Sequence, residues 1–215
     1  MGKASNKKKT ARLLRNTGRV RYPEDEEVYP WLSALLNAYH VQVTGIAIEL
    51  EEEKKKRRNK LACGRGCGTC CQRPIVPVTE PEIRGIGWYV STKLPGELRE
   101  AVKTQVLNRH KSLACPFCVE EVCSIYPVRP IACRILHVFG EPCRPNEDIY
   151  LTRPRDMWIH SRDLGRRTAF ALLPLYGITG KNNMEEAFNA GFLNDNTKSM
   201  LEQPLEILCG FRPGH

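Results

Sequence analysis

No stretch of this 215-residue chain approaches the roughly 20 consecutive apolar residues that cross a bilayer, so no membrane span is expected. The N-terminus lacks the apolar core of a secretory signal. Asn6 stands where a myristoylation motif requires Ser or Thr. No internal repeat is visible. No Gly-rich phosphate loop is present either, because Gly85-x-Gly87 falls inside a predicted helix. No acidic residue precedes Glu24. Mean hydropathy is −0.41 and 41% of the residues are hydrophobic, which predicts a soluble protein. The chain is long enough for one domain with its own core and needs no crosslinks merely to fold. Without an export signal, the expected compartment is the reducing cytoplasm. There, cysteines serve as metal ligands or reactive thiols more often than as disulfides.

What the chain does have is cysteine. Nine of its ten cysteines lie between Cys63 and Cys143. They run Cys63-x3-Cys67-x2-Cys70-Cys71, then Cys115-x2-Cys118, Cys123, Cys133 and Cys143. Thiols at this density predict a bound metal. Two Cys-x2-Cys knuckles, Cys67/Cys70 and Cys115/Cys118, would supply the four ligands of a structural zinc ion but leave five cysteines over. Adjacent Cys70 and Cys71 project in different directions, which suits neighbouring irons of one cluster or two separate sites. Setting Cys118 aside leaves Cys63, Cys67, Cys70, Cys71, Cys115, Cys123, Cys133 and Cys143, enough for two four-cysteine centres. Iron–sulfur is the favoured cofactor and zinc the alternative. Gly64, Gly66 and Gly68 between the first ligands let the backbone fold tightly and turn N–H groups towards sulfur. The formal charge of +9 would fall to about +5 with two centres of roughly −2 each, so basicity alone overstates the case for nucleic acid.

The expected fold is mainly α, with an irregular cysteine-rich metal-binding core between helices and few short strands. Residues 1–22 read as a basic disordered tail carrying Lys3, Lys7, Lys8, Lys9, Arg12, Arg15, Arg19 and Arg21. That tail would either aid solubility or touch nucleic acid or an acidic protein partner. Residues 23–61 form an N-terminal helical segment. In it Leu32, Leu36, Tyr39, Val43, Ile46 and Leu50 share one face from Pro30 to about Lys60, with a break expected near Gly45. Glu51, Glu52 and Glu53 stand four residues before Lys55, Lys56 and Arg57, the favourable order for helix ion pairs. The metal-binding region is 62–143. Between its two ligand clusters a helical hairpin is predicted. Its first helix starts at a Thr79–Glu82 capping box and buries Ile83, Ile86 and Val90. Its second runs from Glu97 to about His110 with Leu98, Val102, Val106 and Leu113 inward. Residues 144–215 are a C-terminal helical segment packed on the same domain, with a final helix over Lys198–Leu208 capped by Thr197.

The order of motifs identifies a resemblance. Cys63-x3-Cys67-x2-Cys70-Cys71, Cys115-Pro116-Phe117 and Cys123-x2-Tyr126-x2-Arg129-Pro130-x2-Cys133-Arg134 resemble the YkgJ-like cysteine-cluster family, a zinc- or iron-chelating domain. The resemblance covers about residues 62–143. Cys118 departs from it, since the family more often carries an apolar residue there. A similar domain occurs in flagellin lysine-N-methylases. The resemblance therefore permits a protein-modifying role with S-adenosylmethionine and a protein substrate, although the sequence offers no convincing catalytic base. Cys63-x3-Cys67-x2-Cys70 also has radical S-adenosylmethionine spacing, but too little chain follows to build that fold. Arg129 and Arg134 are candidates to offset thiolate charge or hold a carboxylate, against purely structural contacts. Tyr126 is expected to pack in the core, His137 to be an ordinary histidine, and Cys209 to be a packed free thiol.

Overall fold

The computed structural model describes residues 18–64, 67–72, 76–112 and 114–211. The cations of residues 1–17, Gly66 and Leu113 lie outside the described residues. The protein is mainly α, with three two-stranded sheets among the described residues. The chain forms two compact units, each assembled from two separated stretches. No helix among the described residues is long and apolar enough to cross a membrane.

The first unit comprises the residues up to Lys60 together with Ile159–Asp195. It opens with α1 (Pro23–Val28) and α2 (Pro30–Lys56), each with proline in its first turn, where a missing N–H costs nothing. Arg19 is anchored rather than solvated. Its guanidinium contacts Glu26 and donates to the Ser33 carbonyl and Asn37 Oδ1. That contact holds the Glu26 carboxyl at about 2, well below its ordinary range. The predicted stripe of α2 is buried at Leu32, Leu36, Tyr39, Ile46 and Leu50, joined by Leu35 and Ala38, while Val43 is half-buried.

The expected break at Gly45 does not occur, and α2 runs through it. Gly45 is buried and faces Leu164 of α7 (Arg162–Leu172) so closely that a Cβ would collide with the Leu164 side chain. The helix accepts the propensity cost of glycine, about 1 kcal/mol, because only glycine fits that approach. At the end of α2, Glu53 holds Arg57 at 2.7 Å in the predicted i,i+4 order, whereas Glu51 holds Lys54 one position closer, at 2.9 Å. Exposed pairs of this kind contribute about 0.3–0.5 kcal/mol each. Ser161 caps α7 by accepting from Leu164 N, and α8 (Lys181–Asn189) and α9 (Phe192–Asp195) complete the unit.

The second unit comprises Leu61–Trp158 and Asn196–His215. Strand β1 (Pro77–Thr79) leads into α3 (Glu80–Thr92) through the predicted capping box, and α3 buries Ile83, Ile86 and Val90. Helix α4 (Gly96–Leu107) follows after Pro95 and buries Val102 and Val106, while Leu98 is half-buried. Next come the hairpin β2 (Cys118–Val119) and β3 (Val122–Cys123), α5 (Ala132–Ile135), β4 (Leu136–Val138), α6 (Ile149–Thr152) and β5 (Met157–Ile159), the last pairing with β4.

The expected final helix from Thr197 is absent. Thr197–Ser199 is strand β6, paired antiparallel with β1 so that Thr197 lies opposite Thr79. Pro204, which has no N–H to donate, allows only the short α10 (Leu205–Leu208) after it. Gly87 of α3 lets this last helix approach. A Cβ there would stand 2.5 Å from the Leu208 carbonyl oxygen. Cys209 is fully buried, a packed thiol as expected.

Candidate metal centre

The α3–α4 excursion begins after Cys71 and returns at Cys115. The Cys115 N–H donates to the Cys71 carbonyl at 2.7 Å, so the two predicted ligand clusters meet at the base of the helical hairpin. The first cluster is a chain of tight turns. Cys67 N–H donates to the Gly64 carbonyl and Cys71 N–H to the Gly68 carbonyl, with residues 69–72 in a single 3-10 turn. The Gln72 side chain accepts from Asn146 N at 3.1 Å, bringing the Cys143 loop alongside. Arg153 fixes that loop by donating to the Glu141 and Pro142 carbonyls while paired with Glu147. No local pattern of residues announces this brace.

In the β2–β3 hairpin Cys118 lies directly opposite Cys123 and Val119 opposite Val122. The two turn residues, Glu120 and Glu121, have φ of 49° and 63°. This is the left-handed pair that a two-residue hairpin turn requires, here imposed on glutamates. Gly68 sits against this turn, and a Cβ on it would stand 2.8 Å from the Glu121 carbonyl oxygen. Replacing Gly68 by alanine should push the Cys67–Cys71 loop off the hairpin. We expect metal retention, measured by chelator competition, to fall by about 10–100-fold, the usual cost of disturbing a ligand's support.

Electrostatic neighbourhood sorts the nine thiols into two groups. Cys63 feels the charge of Cys67 and Cys143, Cys143 that of Cys67, and Cys70 that of Cys63, Cys143 and Cys67. The second group centres on Cys71, on which the Cys115 and Cys118 thiols act most directly. Cys123 and Cys133 also lie close to Cys71. The strongest influences cross between the groups only at the sequence neighbours Cys70 and Cys71. Protein atoms packed around their sulfurs raise the Cys70 thiol to about 11 and Cys133 to about 12, although both residues are exposed at the surface. Cys71 is lowered to about 6, first by the Cys115 thiol that donates to it, then by Cys118 and the Arg129 cation. Cys115 is raised in return, since the two neighbouring thiols do not both ionise readily.

Several sulfurs already accept backbone amides. Val138 N–H donates to Cys63 Sγ at 3.2 Å. Phe117 N–H donates to Cys115 and Ile125 N–H to Cys123. Amides aimed at sulfur stabilise thiolate, the form that binds metal. Arg129 stands 4.2 Å over the Tyr126 ring, with its Nε buried and without a hydrogen-bond partner among the described residues. Its charge acts on Cys71, Cys123 and Cys133. A cation with a buried donor nitrogen acting on three thiols, and sulfurs that already accept amides, suit a thiolate-bound metal. No group of three or more His, Cys, Asp or Glu side chains among the described residues is already arranged to hold an ion.

Arg134 is buried and donates to the carbonyls of Arg129 at 2.9 Å and Pro127 at 3.2 Å, so it shapes the loop that carries Cys133. Glu82, read from sequence only as a capping residue, does more. One carboxylate oxygen accepts from Thr79 N and Thr79 Oγ1, and the other from Ile131 N at 2.6 Å. It ties α3 to the Cys133 loop. Tyr126 is exposed under Arg129 rather than packed in the core, because the Pro127 turn directs it outward. His137 packs edge-on against Trp158. Cys118, set aside on the sequence, belongs with the second thiol group.

Residues 62–155 match the family model CxxCxxCC, described as "Putative zinc- or iron-chelating domain". The match covers this central segment, under half of the chain, which is similar to that cysteine-cluster family in the same motif order. No curated protein and no solved structure matches the chain.

Proposed function

We propose that this cytoplasmic protein carries two thiolate-bound metal centres, Cys63/Cys67/Cys70/Cys143 and Cys71/Cys115/Cys123/Cys133, and that they are iron–sulfur centres. The observation that supports this reading is the separation of the nine thiols into two groups that diverge at adjacent Cys70 and Cys71. Such centres supply one-electron transfer, in support of a redox or protein-modifying reaction. Within the second group Arg129 would offset thiolate charge, and the Phe117 and Ile125 amides would orient two of the ligands. Arg134 and Glu82 would keep the Cys133 loop in register with the rest. The resemblance to flagellin lysine-N-methylases suggests a protein lysine as substrate and S-adenosylmethionine as methyl donor.

Anaerobic purification with iron, sulfide and zinc analysis and visible absorption tests the reading. We expect iron with matching sulfide and a broad band near the blue; a colourless protein with stoichiometric zinc would overturn it. One observation favours that zinc alternative. Cys118 N–H donates to the Cys115 carbonyl at 3.1 Å, a knuckle turn followed at once by a two-residue hairpin, as in structural zinc modules. A zinc-stabilised module would bind its partner without catalysis, with the basic residues 3–21 contacting nucleic acid or an acidic protein.

A further inference from the structure

The second thiol group holds five sulfurs, one more than a four-coordinate centre takes. The surplus is Cys118, and the hairpin register decides what it can do. With a two-residue turn at Glu120 and Glu121, the pair Val119–Val122 beside the turn exchanges backbone hydrogen bonds, and the next pair out does not. Ser124 N–H donates to the Phe117 carbonyl at 2.8 Å, confirming that hydrogen bonding resumes one pair further along. Cys118 and Cys123 therefore form a non-hydrogen-bonded cross-strand pair, whose Cα atoms stand about 4.5 Å apart. That spacing lies inside the range of about 4.4–6.8 Å that a disulfide spans. Ladder bonds on both sides hold the two backbones at this distance. Both cysteines are half-exposed, the turn glutamates are exposed, and Val122 is 58% exposed, so a soluble oxidant can reach the pair.

We propose that Cys118 and Cys123 are a reversible disulfide site, and that closing it takes Cys123 away from the second metal centre. The inference rests on the two-centre reading above for its metal consequence only. The chemistry requires a disulfide co-reactant such as oxidised glutathione. The Cys118 thiolate attacks one sulfur of that disulfide, forming a mixed disulfide and releasing one glutathione thiolate. The Cys123 thiolate then attacks the Cys118 sulfur, forming the cross-strand bond and releasing the second glutathione. The protein loses two electrons, the oxidant gains them, and the two thiol protons end on the two glutathiones. Cys118 is the entry point because its sulfur is the less buried of the pair. Once the bond has formed, only Cys71, Cys115 and Cys133 remain in the second group. Three thiolates without Cys123 leave a tetrahedral centre incomplete. Thiol reductant restores the fourth. The extra cysteine thus makes metal capacity depend on the thiol–disulfide poise.

The test uses the full chain freed of metal under reducing conditions, then treated with oxidised glutathione. Cleavage after Glu120 and Glu121 severs the turn, so the peptides carrying Cys118 and Cys123 remain joined only through a disulfide. We expect that joined pair by mass spectrometry. We also expect the oxidised chain to take up one equivalent of Zn²⁺ fewer than the reduced chain, with recovery on reduction. Cys118→Ser and Cys118→Ala should each lose the linkage and keep full uptake after the same treatment. A linkage from Cys71 to Cys115 or Cys118 instead, or no linkage, overturns the proposal while leaving the two centres standing. Linkage with unchanged uptake overturns the metal consequence. If the reduced chain itself binds no second equivalent, the two-centre reading fails, and the linkage alone then reports on the disulfide site.

Discussion

Serine in place of Cys70 should abolish one metal centre, and serine in place of Cys71 should abolish the other. The two residues share a peptide bond, yet Cys70 is acted on by Cys63, Cys67 and Cys143, whereas Cys71 is acted on by Cys115 and Cys118. Loss of one thiolate from a four-thiolate set removes the closed coordination that makes such sites tight. Metal content of each variant should therefore fall to half that of the parent, and the double variant should hold none. The partners identify the centre lost. Cys143→Ser should reproduce the spectrum of Cys70→Ser, and Cys133→Ser that of Cys71→Ser. Elemental analysis with absorption or metal-substituted spectra reads this directly. If either neighbour's removal emptied both sites, the thiols would be serving a single cluster.

Replacing Glu82 by alanine should cost the second unit about 3–5 kcal/mol, because three buried donors lose their acceptor at about 1–3 kcal/mol each. The carboxyl group is buried, which raises its pKa, and it receives three donors, with Arg134 near enough to act on it. Truncation leaves the Thr79 and Ile131 amides without that acceptor inside the protein, each costing about 1–3 kcal/mol unless another is found. Domains are stable by only about 5–15 kcal/mol, so much of the margin would go. Glu82→Gln retains one acceptor oxygen and should fall between the two. Urea unfolding of the metal-free chain measures the loss directly. If alanine were tolerated within about 1 kcal/mol, Glu82 would be no more than an ordinary helix cap.

The parts of this structure that were legible in the sequence are those written in neighbouring residues. Thr79, Pro81 and Glu82 announce the start of α3 within four positions, and the apolar stripes of α2 and α3 follow from helical spacing alone. Where the deciding partner lies far along the chain, local patterns mislead. Gly45 reads as a weak point until Leu164 is placed against it. Thr197 reads as a helix cap until β1, more than a hundred residues earlier, claims it for a strand. The density of cysteines disclosed a metal-binding region, but their division did not follow from spacing. The turn between Cys70 and Cys71 sends consecutive side chains to different neighbours, and only the closed hairpin supplies those neighbours. On the sequence Cys118 is set aside as a departure from the family pattern. The ladder that sets it opposite Cys123 gives it a place.

The division of the thiols is also nested along the chain. All members of the Cys71 set fall between Cys70 and Cys143. A ribosome releasing this polypeptide would expose Cys63, Cys67 and Cys70 first and strand them without their fourth member. The inner set would close when Cys133 emerged, ten residues ahead of Cys143. At about 5–20 residues per second, that lead is on the order of a second. If the two proposed centres form, a nascent chain would thus present three waiting thiols throughout the synthesis of the hairpin helices, and would fill the centres from the inside outwards.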